Sequence, residues 1–191
     1  GHFDAAVKAL QSVDEVYVVI SEKTHENFSP ELSRQVWEMY IEASGLQGDI
    51  IPLLHNELVS SDVPSPIQAV YEYIDNVPAN SRVVLVIGED DVKDGRYKNA
   101  GKNRDDVVID TVVADRFARA TDIRNMIRNN DVEGFIEKLP SVYQKRAMRG
   151  AAEEVFSILH SNIGLNEAFD LKGKEVQGLV LEYVNEVYSK A

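Results

Sequence analysis

Apolar positions along the chain switch between a helical spacing of three to four residues and near-continuous runs, and each switch marks a change of element. From Phe3 to Val13 the residues Ala5, Ala6, Val7, Ala9 and Leu10 suit a helix packed on a sheet, and Glu15 to Ser21 (EVYVVIS) predicts a buried strand. Ser29-Pro30-Glu31 opens the next helix with an N-cap, a proline at the first helical position and an early carboxylate. Val36, Trp37, Tyr40 and Ile41 give that helix an apolar face, and Gly45 is expected to end it. Asp49 to Leu54 (DIIPLL) predicts a short strand, the stretch through Ser60, Ser61, Pro64 and Pro66 a loop, and Ile67 to Ile74 a third helix. Arg82 to Ile87 (RVVLVI) reads as a buried strand, Gly88 to Arg104 as a mobile polar loop, and Asp106 to Val113 (DVVIDTVV) as the last strand. Beyond Thr121 the pattern is helical throughout. One apolar stripe runs through Ala151, Val155, Ile158 and Leu159, and another through Val176, Leu179, Val180, Tyr183, Val184 and Val187.

Strands written as apolar runs and alternating with helices predict an α/β fold, a doubly wound parallel sheet covered on both faces. Ligands of such sheets sit beyond the carboxyl ends of the strands. The residues to inspect are therefore Gly1-His2, Ser21 to Asn27, His55, Gly88 to Asp91 and Ala120 to Arg124.

Composition narrows the chemistry. An apolar content of 44% over 191 residues is enough for one domain with a real core. The absence of cysteine removes disulfides, thiolate metal sites and cysteine nucleophiles. A net charge of −12 argues against nucleic acid and acidic membranes as partners. No apolar run is long enough for a membrane span, and no signal-peptide pattern opens the chain, so a soluble, cytoplasmic protein is expected.

The sharpest local pattern is Arg119-Ala120-Thr121-Asp122-Ile123-Arg124 after the last strand. Thr121 is expected to cap a helix, with Arg124 one turn on, so that amides, hydroxyl and guanidinium converge on a phosphate. The segment resembles the S-x-T-x-x-R signature of the HxGH-type nucleotidyltransferases, the group with nicotinamide-mononucleotide, phosphopantetheine and glycerol-phosphate members. Gly1-His2, followed by a helix, resembles the second half of their H-x-G-H motif. Ser21 to Arg34, with Lys23, is similar to the polar loop and helix start after the family's second strand, and Gly88-Glu89-Asp90 resembles its G-x-D. Asn125 to Pro140 looks like the helix and turn that several members carry, viral ones among them. The resemblance covers Gly1 to Leu139. It implies a Rossmann-like, HUP-type nucleotidyltransferase domain over residues 1–139 and a helical extension packed on it over 140–191.

What the resemblance implies chemically is direct attack of an acceptor phosphate or hydroxyl on the α-phosphorus of ATP or CTP, with Mg²⁺ and without a covalent intermediate. Adenylyl transfer to a mononucleotide is the first choice and cytidylyl transfer the second. His2 and Arg124 would be catalytic. Gly1, Lys23, Asp90, Thr121 and Arg124 would bind the nucleotide and acceptor, and no protein metal ligand is assigned. A third reading, an NAD-binding Rossmann enzyme, is weakened because no G-x-G-x-x-G follows a strand.

Two departures bear on these expectations. Arg119 and Ala120 stand where the signature has serines, and the family's first strand, the centre of its sheet, would precede Gly1. Without that strand two rows of backbone N–H and C=O groups lose partners at about 1–3 kcal/mol each, so residues 1–191 are expected not to fold alone. The alternatives are a longer native chain, a strand lent by another polypeptide, homo-oligomer formation, or a Gly1-His2 pair left by an expression tag. The competing function is a non-catalytic, nucleotidyltransferase-like binding or structural module of a larger assembly, such as a viral particle.

Overall fold

The computed structural model describes residues 2–24, 28–114 and 120–170. Its four strands, β1 (Val16–Ile20), β2 (Ile50–Leu54), β3 (Arg82–Gly88) and β4 (Val108–Ala114), form two parallel pairs. In one pair Val16 lies opposite Ile50 and Ile20 opposite Leu54. In the other Arg82 lies opposite Val108 and Gly88 opposite Ala114. Around them are α1 (His2–Ala9), α2 (Pro30–Ser44), α3 (His55–Leu58), α4 (Pro66–Asn76), α5 (Glu89–Lys93), α6 (Ala120–Arg128), α7 (Val132–Glu137) and α8 (Arg149–Asp170), with 3₁₀ turns at Ser141–Gln144 and Arg146–Met148. The fold is mixed α/β, built on parallel strand pairs.

Local sequence accounts for the best-defined boundaries. The Ser29 hydroxyl accepts the Leu32 N–H at 3.1 Å and Pro30 takes the first position of α2. Gly45, at φ 69°, closes the helix in the left-handed region, with its N–H turned back to Glu42. Ser65 caps α4 in the same way through Gln68. α1 ends at Ala9, short of Val13, because the Ser12 N–H and hydroxyl both bond the Ala9 carbonyl and close the helix in a turn.

The expected mobile loop from Gly88 to Arg104 is instead a short helix followed by a series of backbone-bonded turns. The Arg104 guanidinium donates to the carbonyls of Ile74, Asp75 and Val77 at 2.7–3.0 Å and to both oxygens of Asp106, so it fastens these turns to the end of α4. Local polarity concealed that clamp, because its acceptors are backbone atoms about 30 residues away.

Two apolar clusters hold the layers. Leu32 of α2 joins Ile127, Phe135, Leu139, Val155, Leu159 and their neighbours from the helices after β4. Phe3 and Ala6 of α1 pack with Ile41 and Ile50. The first cluster makes residues 120–163 one packed body with α2. The stripe expected from Val176 to Val187 lies outside the described residues.

The strands depart from expectation in their burial. Only Ile20 is buried in β1 and only Leu85 in β3, although both runs are apolar enough for the centre of a sheet. Each has a paired strand on one side alone among the described residues. In place of the expected continuous, doubly wound sheet, the described residues form two separate parallel strand pairs.

Candidate functional site

A cleft of about 990 Å³ lies at the carboxyl ends of β3 and β4, bounded by Gly88 and Ala114. His2 and Asp4 enter it from the first turn of α1, and Trp37 and Tyr40 from the face of α2. Glu89, Asp90 and Asp91 enter from α5, and Ile123 from α6. Lys138, Ser141 and Gln144 close it from the turns after α7.

The cleft combines aromatic walls with charged ends. The Phe3 ring meets Trp37 at 5.7 Å and Tyr40 at 5.6 Å, and Tyr40 meets Tyr143 edge-on at 5.6 Å. Burial, reinforced by Tyr143, pushes the Tyr40 phenol well above its ordinary range, so it stays neutral. Burial and the nearby Glu154 and Glu42 carboxylates push Tyr143 up to about 12. Its hydroxyl donates to the Met39 carbonyl at 3.1 Å, which fixes the ring against Tyr40.

His2 is held below the ordinary imidazole value by desolvation, with Asp91 opposing it. The residue as a whole is exposed, and its Nε2 stands 3.5 Å from where a Cβ on Gly88 would sit, which places the ring beside the end of β3. A neutral imidazole at pH 7 can donate one hydrogen bond and accept another. Burial raises the Asp4 carboxyl, but hydrogen bonds from the Ser141 hydroxyl and N–H oppose it, and the group lies below the usual range.

The residues singled out from sequence divide into two sets. His2 and Asp90 meet in the cleft, and Ile123 of the T-x-x-R segment joins them. Thr121 does not cap α6. The helix begins at Ala120, Thr121 lies inside its first turn, and the Arg124 guanidinium donates to the Thr121 hydroxyl at 3.3 Å. Neither residue is part of the cleft lining. Lys23 is exposed in the turn after β1, where its N–H bonds the Ser21 hydroxyl, also away from the lining. Gly1 and His25 lie outside the described residues.

His55, another strand-end candidate, is a latch. The Glu22 N–H donates to Nδ1 at 3.1 Å, which places the proton on Nε2 facing the Val63 carbonyl at 2.9 Å. Only 3% exposed, it ties the ends of β1 and β2 to the loop before α4. Arg149, from the basic cluster Lys145, Arg146 and Arg149, pairs with Glu133 and Glu153.

Sequence reasoning missed Asp4, Arg96, Lys138 and Ser141 as lining residues, while Asp91 closes the Gly88 to Asp91 stretch that it had singled out. Asp4 carried a faint signal as the acidic residue of a first helical turn; Arg96, Lys138 and Ser141 are joined to the cleft by tertiary packing alone. Arg96 bonds Asp91 at 2.8 Å and Asp94 at 3.2 Å. Among the described residues, no group of three or more His, Asp or Glu side chains is placed to hold a metal ion. Among them, too, no helix is long and apolar enough to cross a membrane.

A second cavity, of about 720 Å³, lies between the strand pairs. Every residue from Glu15 to Ile20 and from Ser81 to Ile87 lines it, whereas no residue of β2 or β4 does. β1 and β3 are therefore the inner strands, and their unpaired edges share one groove. His2 lines both this groove and the cleft.

No protein-family model, curated protein or solved structure matches the chain.

Proposed function

We propose that the chain is a nucleotidyltransferase that moves a nucleoside monophosphate from ATP or CTP to a phosphorylated small molecule and releases pyrophosphate, working on a doubly wound sheet. The observation that carries this reading is the cleft at the strand carboxyl ends, where His2 opens α1 beside Gly88 and the Asp90 and Asp91 carboxylates. Strand ends are where open parallel sheets bind ligands. The fit with the H-x-G-H and G-x-D resemblances lies in their meeting in one cleft from positions nearly ninety residues apart.

In this reading the acceptor oxygen attacks the α-phosphorus, the bond to the bridging oxygen breaks, and pyrophosphate leaves with the electron pair. Positioning and charge stabilisation supply the rate. His2, neutral in the free protein, donates to a phosphate oxygen, and the dipole of α1 adds partial positive charge at the same helix end. Arg124 serves only after exchanging its Thr121 contact for phosphate. Trp37 and Tyr40 offer an aromatic wall for a base. Mg²⁺ requires one or two carboxylates and phosphate oxygens rather than a protein cage, and Asp90 and Asp91 have the right donor chemistry; the ion supplies charge neutralisation on the triphosphate.

The test is isothermal titration of ATP and CTP in Mg²⁺ on the chain and on His2→Ala and Arg124→Ala, followed by pyrophosphate release over candidate acceptors. Losing one charged or polar phosphate contact is expected to weaken binding on the order of tenfold or more. Absence of triphosphate binding would overturn the proposal.

One observation favours a second reading, a non-catalytic module. The cleft carries Asp4, Glu89, Asp90, Asp91 and Glu137 against Arg96 and Lys138, which leaves few cations to stabilise the charge that gathers on a departing pyrophosphate. Triphosphate binding without pyrophosphate release would mark that module.

A further inference from the structure

We propose that the groove between β1 and β3 is the seat of a fifth, central β-strand, supplied by the polypeptide segment joined directly to the amino end of α1. The groove is lined by two consecutive strand edges rather than by scattered side chains. Tyr17 near the start of β1 meets Tyr73 at 5.7 Å, near the end of α4 and shortly before β3 begins, which puts the starts of both strands at one end of the groove. Val13, Asp14, Val77 and Pro78 mark one end, before β1 and β3 begin. His2, Ser33 and Trp37 mark the other, beyond their carboxyl ends.

A strand laid between them, parallel to both, would restore ladder hydrogen bonds along two edges and join the strand pairs into one five-stranded parallel sheet in the order β2-β1-new-β3-β4. Its carboxyl end would emerge beside His2, which is the first residue of α1 and borders the groove. α1 then carries the chain back toward the start of β1, as a parallel crossover requires. This continuity selects a covalently attached segment over a second copy or a separate peptide. The half-burial of β1 and β3 follows directly, since each lacks its inner neighbour. The groove walls are apolar at Val16, Val18, Ile20, Val83, Leu85 and Ile87, so the strand they fit is apolar on both faces, rich in valine and isoleucine and without proline. Residues 176–187 carry apolar positions at helical rather than strand spacing, so the occupant is not drawn from there.

The experiment extends the 191-residue chain at Gly1 by a seven-residue valine and isoleucine strand, with a matched extension carrying proline at its centre, and follows amide hydrogen exchange and urea unfolding. Exchange in Val16–Ile20 and Val83–Ile87 is expected to slow at least about tenfold with the apolar extension and not with the proline one. Should the unextended chain fail to fold, a cooperative urea transition restored by the apolar extension alone gives the same support. Equal behaviour of the two extensions overturns the strand. Protection of both edges that rises with the concentration of the unextended chain indicates a second copy, and equal protection by the free apolar heptapeptide at equimolar concentration a separate polypeptide; either result overturns the attached source. The assay reads backbone protection and is independent of nucleotide binding.

Discussion

Asp4 and Ser141 join the first turn of the chain to the turn after α7, 137 residues later. The Ser141 hydroxyl and N–H both donate to Asp4 Oδ1, at 2.8 and 3.2 Å. The bond spans the mouth of the cleft, and it makes the helical body after β4 part of the site rather than an appendage to it.

Because the Asp4 carboxyl is held below its ordinary value of 3.8, its contribution to stability is fully present above that value and disappears as pH falls through the folded-state value. Asp4→Asn should cost about 1 kcal/mol at pH 7, a charged hydrogen bond discounted for partial exposure. It should also flatten the pH dependence of urea unfolding below pH 4. An unchanged acid limb would remove Asp4 from the account.

Arg104 donates to three carbonyls near the end of α4 and to Asp106 from one guanidinium. Arg104→Ala should accelerate amide exchange around residues 76–82 and 104–108 on the order of tenfold. Arg104→Lys should restore little, because a single ammonium cannot span the same fork of acceptors. Full rescue by lysine would show that charge alone matters here.

Two glycines should respond to different degrees. Gly101 has φ 68°, and a Cβ there would stand 2.1 Å from Ile109 Cδ1. Gly101→Ala should therefore cost about 2 kcal/mol, with part recovered in the double variant carrying Ile109→Val. At Gly88 the nearest atom to an added Cβ is His2 Nε2 at 3.5 Å, so Gly88→Ala should change stability by less than about 1 kcal/mol. Thermal unfolding of the three variants tests both statements.

His55 should prove structural. Its removal strands the Glu22 N–H and the Val63 carbonyl and opens space in a buried position. His55→Ala should cost about 2–4 kcal/mol in urea unfolding, with triphosphate affinity unchanged where the protein remains folded. Loss of affinity in a stable variant would return His55 to the functional residues.

The order of helices and strands, the Ser29 and Ser65 caps and the Gly45 stop were legible in the sequence, since each depends on neighbours a few residues away. The parallel pairing of strands was legible as well, from apolar runs separated by helices. The convergence of His2 with Asp90 was foreshadowed by their places at element ends. The Arg104 clamp, the Asp4–Ser141 bridge and the aromatic wall were not, because the partners that make them lie 27 to 137 residues apart and no local spacing records them. Nor could the sequence tell that Thr121 and Arg124 bond each other away from the cleft, or that His55 is a latch. By itself the sequence determined which segments become helix and strand, through periodicity and capping. Only the tertiary structure decided which strand edges face each other and which side chains share a cleft, because those outcomes are set by packing between segments distant along the chain.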